Sequence, residues 1–293
     1  MPSLKNIRRR IASVKSNAKI TRAMKLVAAA KLRRAQERLM QLRPYALRLG
    51  DMIAELAHQS DSTAHALLAH RPARRTLLLL LTSDRGLAGA FNSNVNKAAN
   101  AWMQEHKTQR DHIELRIVGK KGRDYFRSKN VEIGTVYTDV LTNVTLERSS
   151  QIGREVVAAY IDEKFDEVLL VYNEFRSAMS QSIRLDRVLP VQAAASVEAE
   201  GGTTQLTADT LYEPSKAEVL DALLPMNIDI GIYRALLESV ASEMGARMTA
   251  MDAATKNAGE LLARITLQYN RARQAIITTE LMEITSGAES LKG

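Results

Sequence analysis

The sequence has no cysteine among its 293 residues. Disulfides, thiolate metal sites and thiol catalysis are therefore excluded, and a reducing compartment is favoured. The chain also lacks an apolar run approaching the ~18 residues needed to span a bilayer. Its first residues, MPSLKNIRRRI, lack the apolar core of a signal peptide. We therefore expect a soluble chain, or one that is peripheral to a membrane.

Acidic residues are missing from the first 34 positions, which carry eleven Lys or Arg side chains. Residues 1–50 have a net charge of +13, whereas residues 51–293 have a net charge of −5. Such a concentrated positive field predicts an acidic partner.

Two long amphipathic helices are predicted at the ends of the chain. From Leu4 to Leu56, apolar or small residues recur at alternating steps of three and four, with Lys25 as a polar intruder. The same alternation runs from Leu237 to Thr279. This spacing puts one narrow apolar seam on each helix, as in a two-helix coiled coil.

We predict these helices over residues 1–58 and 216–288. Pro44 lies off the first seam, where it should bend the helix without ending it. Ser286 and Gly287 should end the second helix.

The sequence predicts an α/β domain at residues 74–192, inserted between the two helices, and a small, flexible linker at 193–215. Strands and helices alternate, which favours a mainly parallel, Rossmann-like sheet. The strands are expected near 76–82, 114–118, 131–137, 167–172 and 181–190, and the helices near 92–105 and 146–164.

The two long helices must run antiparallel, because both ends of the inserted domain have to lie near one another. In the predicted register, facing residue numbers add to about 275. Val14 should then lie near Leu262, and Met24 near residues 247–251. The fold class is thus a long antiparallel two-helix coiled coil from the N- and C-termini with an inserted Rossmann-like α/β domain.

Two glycine-containing turns, Ser83–Gly89 and Gly119–Gly122, follow the first two strands. Turns at this edge of a doubly wound sheet often bind phosphates. Neither turn matches GxGxxG or GxxxxGK[ST], and glycine-rich turns are mostly steric necessities. A dinucleotide-dependent enzyme is therefore the weaker alternative, since it also leaves the two long helices without a role.

A nucleic-acid-binding coiled coil is the second alternative, because arrays of Lys and Arg neutralise phosphates. The sequence has few aromatic side chains and few side chains arranged to contact bases, which argues against this alternative. His58, His65 and His70 fit no zinc pattern. We expect no metal, no cofactor and no nucleic acid.

Three stretches resemble the gamma subunits of F-type ATP synthases. They are ITRAMKLVAAAK at 20–31, TSDRGLAGAFNSN at 82–94 and ARMTAMDAATKN at 246–257, the last continued by YNRARQA at 269–275 and ELMEITSG at 280–287. Because they include both ends and the middle, the resemblance covers the whole chain.

The resemblance implies a central-stalk rotor shaft without a catalytic site of its own. In this family the coiled coil stands inside a ring of three alpha and three beta subunits, and the α/β domain lies beside epsilon on the c-ring. Proton flow turns the shaft, and its rotation drives the catalytic beta subunits. The chain would lie peripherally at the cytoplasmic face of a bacterial inner membrane, attached only through Fo. The absence of a targeting segment favours a bacterial protein.

The resemblance also implies site residues. The expected rotor–stator contacts are Met24, Arg85, Arg247, Arg273, Gln274, Thr278 and Glu280. The expected basic collar, which faces acidic loops of the beta subunits, is Arg8, Arg9, Arg10, Arg22, Lys25, Lys31, Arg33 and Arg34. For Met24 simple seam packing stays open as an alternative, and for each Lys or Arg a solvated charge does.

The predicted register leaves the second helix longer than the first. Beyond about Arg271, roughly 17 residues, or ~25 Å, should project as a single helix. Ile276, Leu281 and Ile284 would then be exposed on several faces. An apolar helix of this kind is unstable in water, so it predicts an enclosing partner.

Overall fold

A computed structural model describes residues 3–59, 65–129, 131–192, 213 and 215–290 of the chain. In chain order the elements are α1 (Leu4–Gln59), β1 (Arg75–Leu81), α2 (Phe91–His106), β2 (His112–Val118), α3 (Lys120–Arg127), β3 (Ile133–Tyr137), α4 (Leu146–Ile161), β4 (Glu167–Phe175), β5 (Gln181–Leu189) and α5 (Lys216–Ser290). The two long terminal helices and the α/β elements between them confirm the predicted fold class.

The described residues form two compact units. One lies within Met1–Ala28 and Arg247–Gly293 and is called the helical unit here. The other lies within Ala29–Ala246 and is called the α/β unit. Each unit therefore holds a part of both α1 and α5.

The helical unit is a pair of antiparallel helices. Its predicted seam positions on α1, from Leu4 to Ala28, are all buried or half-buried. Thr21 and Thr255 share a hydrogen bond of 2.7 Å between their hydroxyl oxygens. Nζ of Lys25 lies 2.5 Å from Oδ1 of Asp252. Both pairs lie within about two residues of the predicted register, so the antiparallel pairing is confirmed.

The α/β unit is built on a five-stranded sheet with the order β3-β2-β1-β4-β5. All neighbouring strands are parallel except β4 and β5, which are antiparallel. The leucine run Leu77–Leu81 of β1 is fully buried because helices cover both sheet faces.

One face of this sheet packs against α4 and the parts of α1 and α5 that belong to the α/β unit. Leu56 and Leu236, from the two long helices, lie in the same core as Leu79 of the sheet. The opposite face carries α2 and α3, with Val95 and Phe126 buried against it. Each such side chain contributes about 1.5–3 kcal/mol when it leaves water, so both long helices are anchored at this end by apolar burial.

Two details of the prediction were wrong. The turn expected at Gly119–Gly122 is the beginning of α3, an eight-residue helix. Gly287, expected to end the last helix, lies inside α5, which continues to Ser290. The predicted linker at 193–215 lies outside the described residues except for 213 and 215.

Candidate functional site

The basic collar lies on α1 and is mostly exposed. Its members in the helical unit are Arg8, Arg9, Arg10, Arg22 and Lys25, and its members in the α/β unit are Lys31, Arg33 and Arg34. Seven of these residues are exposed, and Lys25 is half-buried. An exposed cation retains its field for a partner unless a neighbouring acid offsets it.

Two of the collar residues have an acidic partner. Lys25 pairs with Asp252 across the two helices. Arg33 pairs with Glu37 one turn further along α1, at 3.0 Å between Nε and Oε1. Within the described part of the chain, the other six collar residues form no ion pair. The collar available to a partner is therefore smaller than the sequence suggested.

The Lys25–Asp252 pair was missed in the sequence, although the register contained the signal. A lysine at a seam position specifies the pairing when an acid stands opposite it on the facing helix. Asp252 is the only acid between Gly245 and Gly259, which is the stretch that the register places opposite.

The end of α5 is an exposed, apolar single helix. All its described side chains from Arg273 to Ala288 are exposed. The large apolar ones range from 41% exposed for Ile276 to 68% for Ile284. This confirms the exposed tip that the register predicted, and α1 does not shield it within the helical unit.

The hydroxyl groups of this tip add little polarity to its surface. Thr278 donates to the carbonyl oxygen of Gln274 at 2.9 Å, and Thr279 and Thr285 donate to the preceding turn in the same way. Their hydrogen bonds are thus satisfied within the helix. Glu280 and Glu283 are left as the only charges between Ala275 and Ala288. Such a surface suits an apolar sleeve with few polar contacts.

The expected contact residues are not equally accessible. Arg85, Arg273, Gln274, Thr278 and Glu280 are exposed. Met24 is half-buried, as the seam-packing alternative requires. Arg247 is only 9% exposed, so a partner could reach only a small part of its side chain in this conformation.

The turn after β1 is held by its own hydrogen bonds. The backbone N–H of Ser83 donates to Oδ1 of Asn92 at 2.9 Å, and the Ser83 hydroxyl donates to the carbonyl oxygen of Arg85 at 2.7 Å. The Thr82 hydroxyl donates to the carbonyl oxygen of Val118 at 2.8 Å. These bonds fix the turn that presents Arg85 to the surface.

The beginning of α3 is filled by the protein itself. Gly119 precedes this helix with φ of +96°, and a Cβ atom there would lie 2.1 Å from the carbonyl oxygen of Thr82. The carboxylate of Asp84 accepts hydrogen bonds from the backbone N–H groups of Lys120 and Asp139 at 3.2 and 3.0 Å. A side-chain anion therefore occupies the place where a phosphate would bind. This arrangement argues against the nucleotide-binding alternative.

Ion pairs between neighbouring strands stabilise the sheet of the α/β unit. Hydrogen bonds from Arg184 and Ser182 lower the pKa of the Glu174 carboxyl to about 2. At Asp166, burial opposes ionisation, but donation from the side chain and backbone of Arg75 outweighs it, so the pKa is lowered. These carboxylates join neighbouring strands, Asp166 through Arg75 of β1 and Glu174 through Arg184 of β5.

Two of the three histidines considered as metal ligands, His65 and His70, have described side chains. Nε2 of His65 lies 3.2 Å from Oδ1 of Asp221, His70 is exposed, and the side chain of His58 lies outside the described residues. In the part of the chain that the structure describes, no three His, Cys, Asp or Glu residues are grouped to hold a metal. No described helix combines the length and apolar character needed to cross a membrane.

The fold and these surfaces define a protein that binds partners mainly through its long terminal helices. A family model described as ATP synthase matches residues 3–291. The chain is 50% identical over 293 residues to the ATP synthase gamma chain of Geobacter metallireducens and 47% identical over 295 residues to that of Anaeromyxobacter sp. strain K, with all of both chains covered in each case. The chain therefore belongs to the family of ATP synthase gamma chains.

Solved structures agree with this fold. A chain from the OSCP/F1/c-ring part of the Euglena gracilis mitochondrial ATP synthase superposes with a TM-score of 0.68 at 20% identity, covering 98% of this chain and 94% of that one. A chain from the central stalk and c-ring of the Tetrahymena thermophila mitochondrial enzyme gives 0.63 at 24% identity, covering 80% and 99%. At these identities the likeness concerns the fold.

Proposed function

We propose that this chain is the central-stalk rotor shaft of a proton-translocating F-type ATP synthase. It couples rotation of the c-ring to the conformational cycle of three catalytic beta subunits. The observation that carries this proposal is the exposed apolar end of α5, from Ile276 to Ile284. A helix that is apolar on several faces is stable only inside a partner, and a smooth apolar contact lets the helix turn within it.

The partners follow from the surfaces and from the relatives. The alpha3beta3 ring encloses the helical unit, and acidic loops of the beta subunits face the unpaired collar residues on α1. Epsilon and the c-ring contact the α/β unit. The expected contacts at Met24, Arg85, Arg247, Arg273, Gln274, Thr278 and Glu280 belong to this proposal. Nucleic acid is not a partner, and the membrane is reached only through Fo.

The chain has no catalytic site of its own in this proposal. Nucleotide chemistry belongs to the ring, and the Asp84 cap at the beginning of α3 supports this division because it occupies a phosphate position. The protein is peripheral, at the cytoplasmic face of a bacterial inner membrane.

Rotation of the assembled complex tests the function directly. The chain has no cysteine, so Lys107→Cys at the exposed end of α2 gives one attachment point for a bead. With the ring immobilised, ATP should drive unidirectional bead rotation that pauses at three angles. The proposal is wrong if the complex assembles and hydrolyses ATP while the bead shows only Brownian motion.

A further inference from the structure

The polar layer of the helical unit is formed by Thr21 and Lys25 on α1 and by Asp252 and Thr255 on α5. The two hydroxyl oxygens lie 2.7 Å apart, and the lysine and aspartate atoms lie 2.5 Å apart. Thr255 also donates to the carbonyl oxygen of Met251 at 2.7 Å. The Thr21 hydroxyl can likewise donate to the carbonyl oxygen of Ala18 at 3.1 Å, so either hydroxyl can be the donor in the bond between them.

The core shared by Leu56 and Leu236 fixes the pairing of the two helices in the α/β unit. Within the helical unit, the apolar seams alone do not distinguish one heptad register from the next. Both seams repeat every seven residues without interruption, from Leu4 to Leu56 and from Leu237 to Thr279. A slide of one heptad, about 10 Å along the axis, brings seam positions opposite seam positions again. Small seam residues such as Ala18 and Ala258 provide little shape to resist this slide.

The polar layer discriminates against both one-heptad slides. The positions seven residues before and after Asp252 are Gly245 and Gly259, so Lys25 would face glycine in either case. The corresponding neighbours of Thr255 are Met248 and Leu262, so Thr21 would place its hydroxyl against an apolar side chain. In either slide Lys25 loses its carboxylate partner and Thr21 loses its partner across the helices, although the Thr21 hydroxyl keeps its bond to the carbonyl oxygen of Ala18. Losing both cross-helix interactions disfavours the slide.

We propose that this polar layer is the register pin of the helical unit, and that Lys25 and Asp252 are positioning residues for the tip. By fixing α5 axially against α1, the pin sets the height and angle at which Arg273 and Gln274 are presented. The role of these residues in coupling rests on the proposed rotor function, whereas their role in fixing the register of the two helices does not.

Distances between two spin labels on the purified full-length chain measure the register without a partner. Ser16→Cys on α1 and Thr279→Cys on α5 are exposed sites outside the polar layer, and the chain offers no competing cysteine. The unsubstituted layer should give one distance population. Lys25→Asp should add a second population displaced by about 10 Å, with the native-to-displaced ratio falling about fivefold.

Matched variants show whether the pair itself is responsible. The charge-swapped chain, Lys25→Asp with Asp252→Lys, should return to one population. Lys19→Asp makes the same charge change at an exposed position of α1 and should leave the distances unchanged. Thr21→Val with Thr255→Val keeps side-chain size and should also populate the displaced register. If Lys25→Asp and the valine pair both retain the native distance, or if the charge swap restores nothing, the register pin is refuted.

ATP-driven rotation of the assembled complex tests the positioning role. Lys25→Asp should reduce torque per ATP, the charge swap should restore it, and Lys19→Asp should retain it. A displaced register with undiminished torque overturns the positioning role. If the proposed rotor function is itself wrong, the unsubstituted complex will not rotate. That outcome is distinct from failure of the positioning role.

Discussion

Asp84 caps the beginning of α3 through the backbone N–H of Lys120, at 3.2 Å from its Oδ1 atom. The other carboxylate oxygen accepts the N–H of Asp139 at 3.0 Å. In a doubly wound sheet this edge is where ligands commonly bind. One carboxylate therefore stabilises two turns and occupies a phosphate-binding position, which supports the proposal that the partners perform the nucleotide chemistry.

The approach of Gly119 to Thr82 predicts a large loss of stability on Gly119→Ala. An alanine there would have to adopt φ of +96° with its Cβ 2.1 Å from a backbone oxygen. We expect a loss of about 3 kcal/mol or more in the free energy of unfolding, measured by urea denaturation followed by circular dichroism.

Gly50→Ala is the matched control for this prediction. Gly50 lies inside α1, and a Cβ there would meet no atom within 4 Å. Alanine favours helix over glycine, so the same measurement should show a gain of about 0.5–1 kcal/mol. Equal effects of the two substitutions would contradict the tight contact.

The lowered pKa of Glu174 predicts that acid destabilises the hairpin formed by β4 and β5. Arg184 and Ser182 hold the pKa of its carboxyl at about 2, below the ordinary value of 4.5. A carboxyl with a depressed folded pKa stabilises the fold above its unfolded pKa. That stability is lost as the pH falls from about 4.5 towards 2.

Glu174→Gln should therefore lower stability at pH 7 by about 1 kcal/mol and flatten its dependence on pH over that window. The measurement is urea denaturation at several pH values. Asp166, whose pKa is also lowered, titrates in both chains, so the difference reports Glu174. Glu105→Gln, an exposed control on α2, should leave the pH profile unchanged. Parallel profiles for the wild-type and Glu174→Gln chains would disprove the assignment.

At the tip, Arg273 and Gln274 should matter more for coupling than the apolar residues beyond them. A polar contact favours one angle and strengthens or weakens as the shaft turns, whereas an apolar sleeve resists little. Arg273→Ala with Gln274→Ala should lower ATPase activity of the assembled complex about tenfold or more, with little change in the melting temperature of the chain.

Truncation after Gln274 is the counterpart of that double substitution. It removes the exposed apolar helix and should weaken assembly while leaving part of the rotation-coupled ATPase. Sedimentation of the complex measures assembly, and activity is compared only in the assembled fraction. If truncation abolishes catalysis there while the double substitution is silent, the two roles are reversed.

The basic collar predicts salt dependence of the isolated chain. At ~0.01 M salt, charges repel over about 30 Å, compared with about 8 Å at 0.15 M. The eleven basic side chains within the first 34 residues should therefore lower the melting temperature by about 3 °C or more at low salt.

Arg9→Gln with Arg10→Gln should reduce this salt dependence, because both side chains are exposed and lack an ion pair among the described residues. Lys107→Gln with Lys129→Gln, outside the collar, removes the same charge and should change it less. A chain that is stable and monomeric at low salt would show that its field requires no acidic partner.

Local pattern was sufficient to predict the long helices. The alternation of three and four residues predicted each seam position of α1 from Leu4 to Leu56 as facing inward, and all of them are buried or half-buried. It also predicted the exposed end at Ile276 and Ile284. Seven-residue repetition is a property of the sequence itself, and an α-helix converts it directly into one face.

Helix α3 depended on tertiary contacts. Its sequence, KKGRDYFR, contains a glycine and spans only eight residues, too few for the local pattern to predict a helix by itself. The structure holds it through the N–H of Gly122, which donates to the Thr82 hydroxyl at 2.9 Å, and through the buried ring of Phe126. Thr82 directly follows β1, and Phe126 packs in one core with Leu80 of β1 and Ile117 of β2.

The sequence by itself determined the two seams, the excess of positive charge at the start of the chain and the strand–helix alternation between them. Only the tertiary structure decided that Lys25 meets Asp252, that Asp84 occupies the beginning of α3 and that Arg247 is buried. The physical reason is distance along the chain. A periodic face follows from neighbouring residues, whereas the pairing of residues 227 positions apart depends on the packing of the elements that carry them.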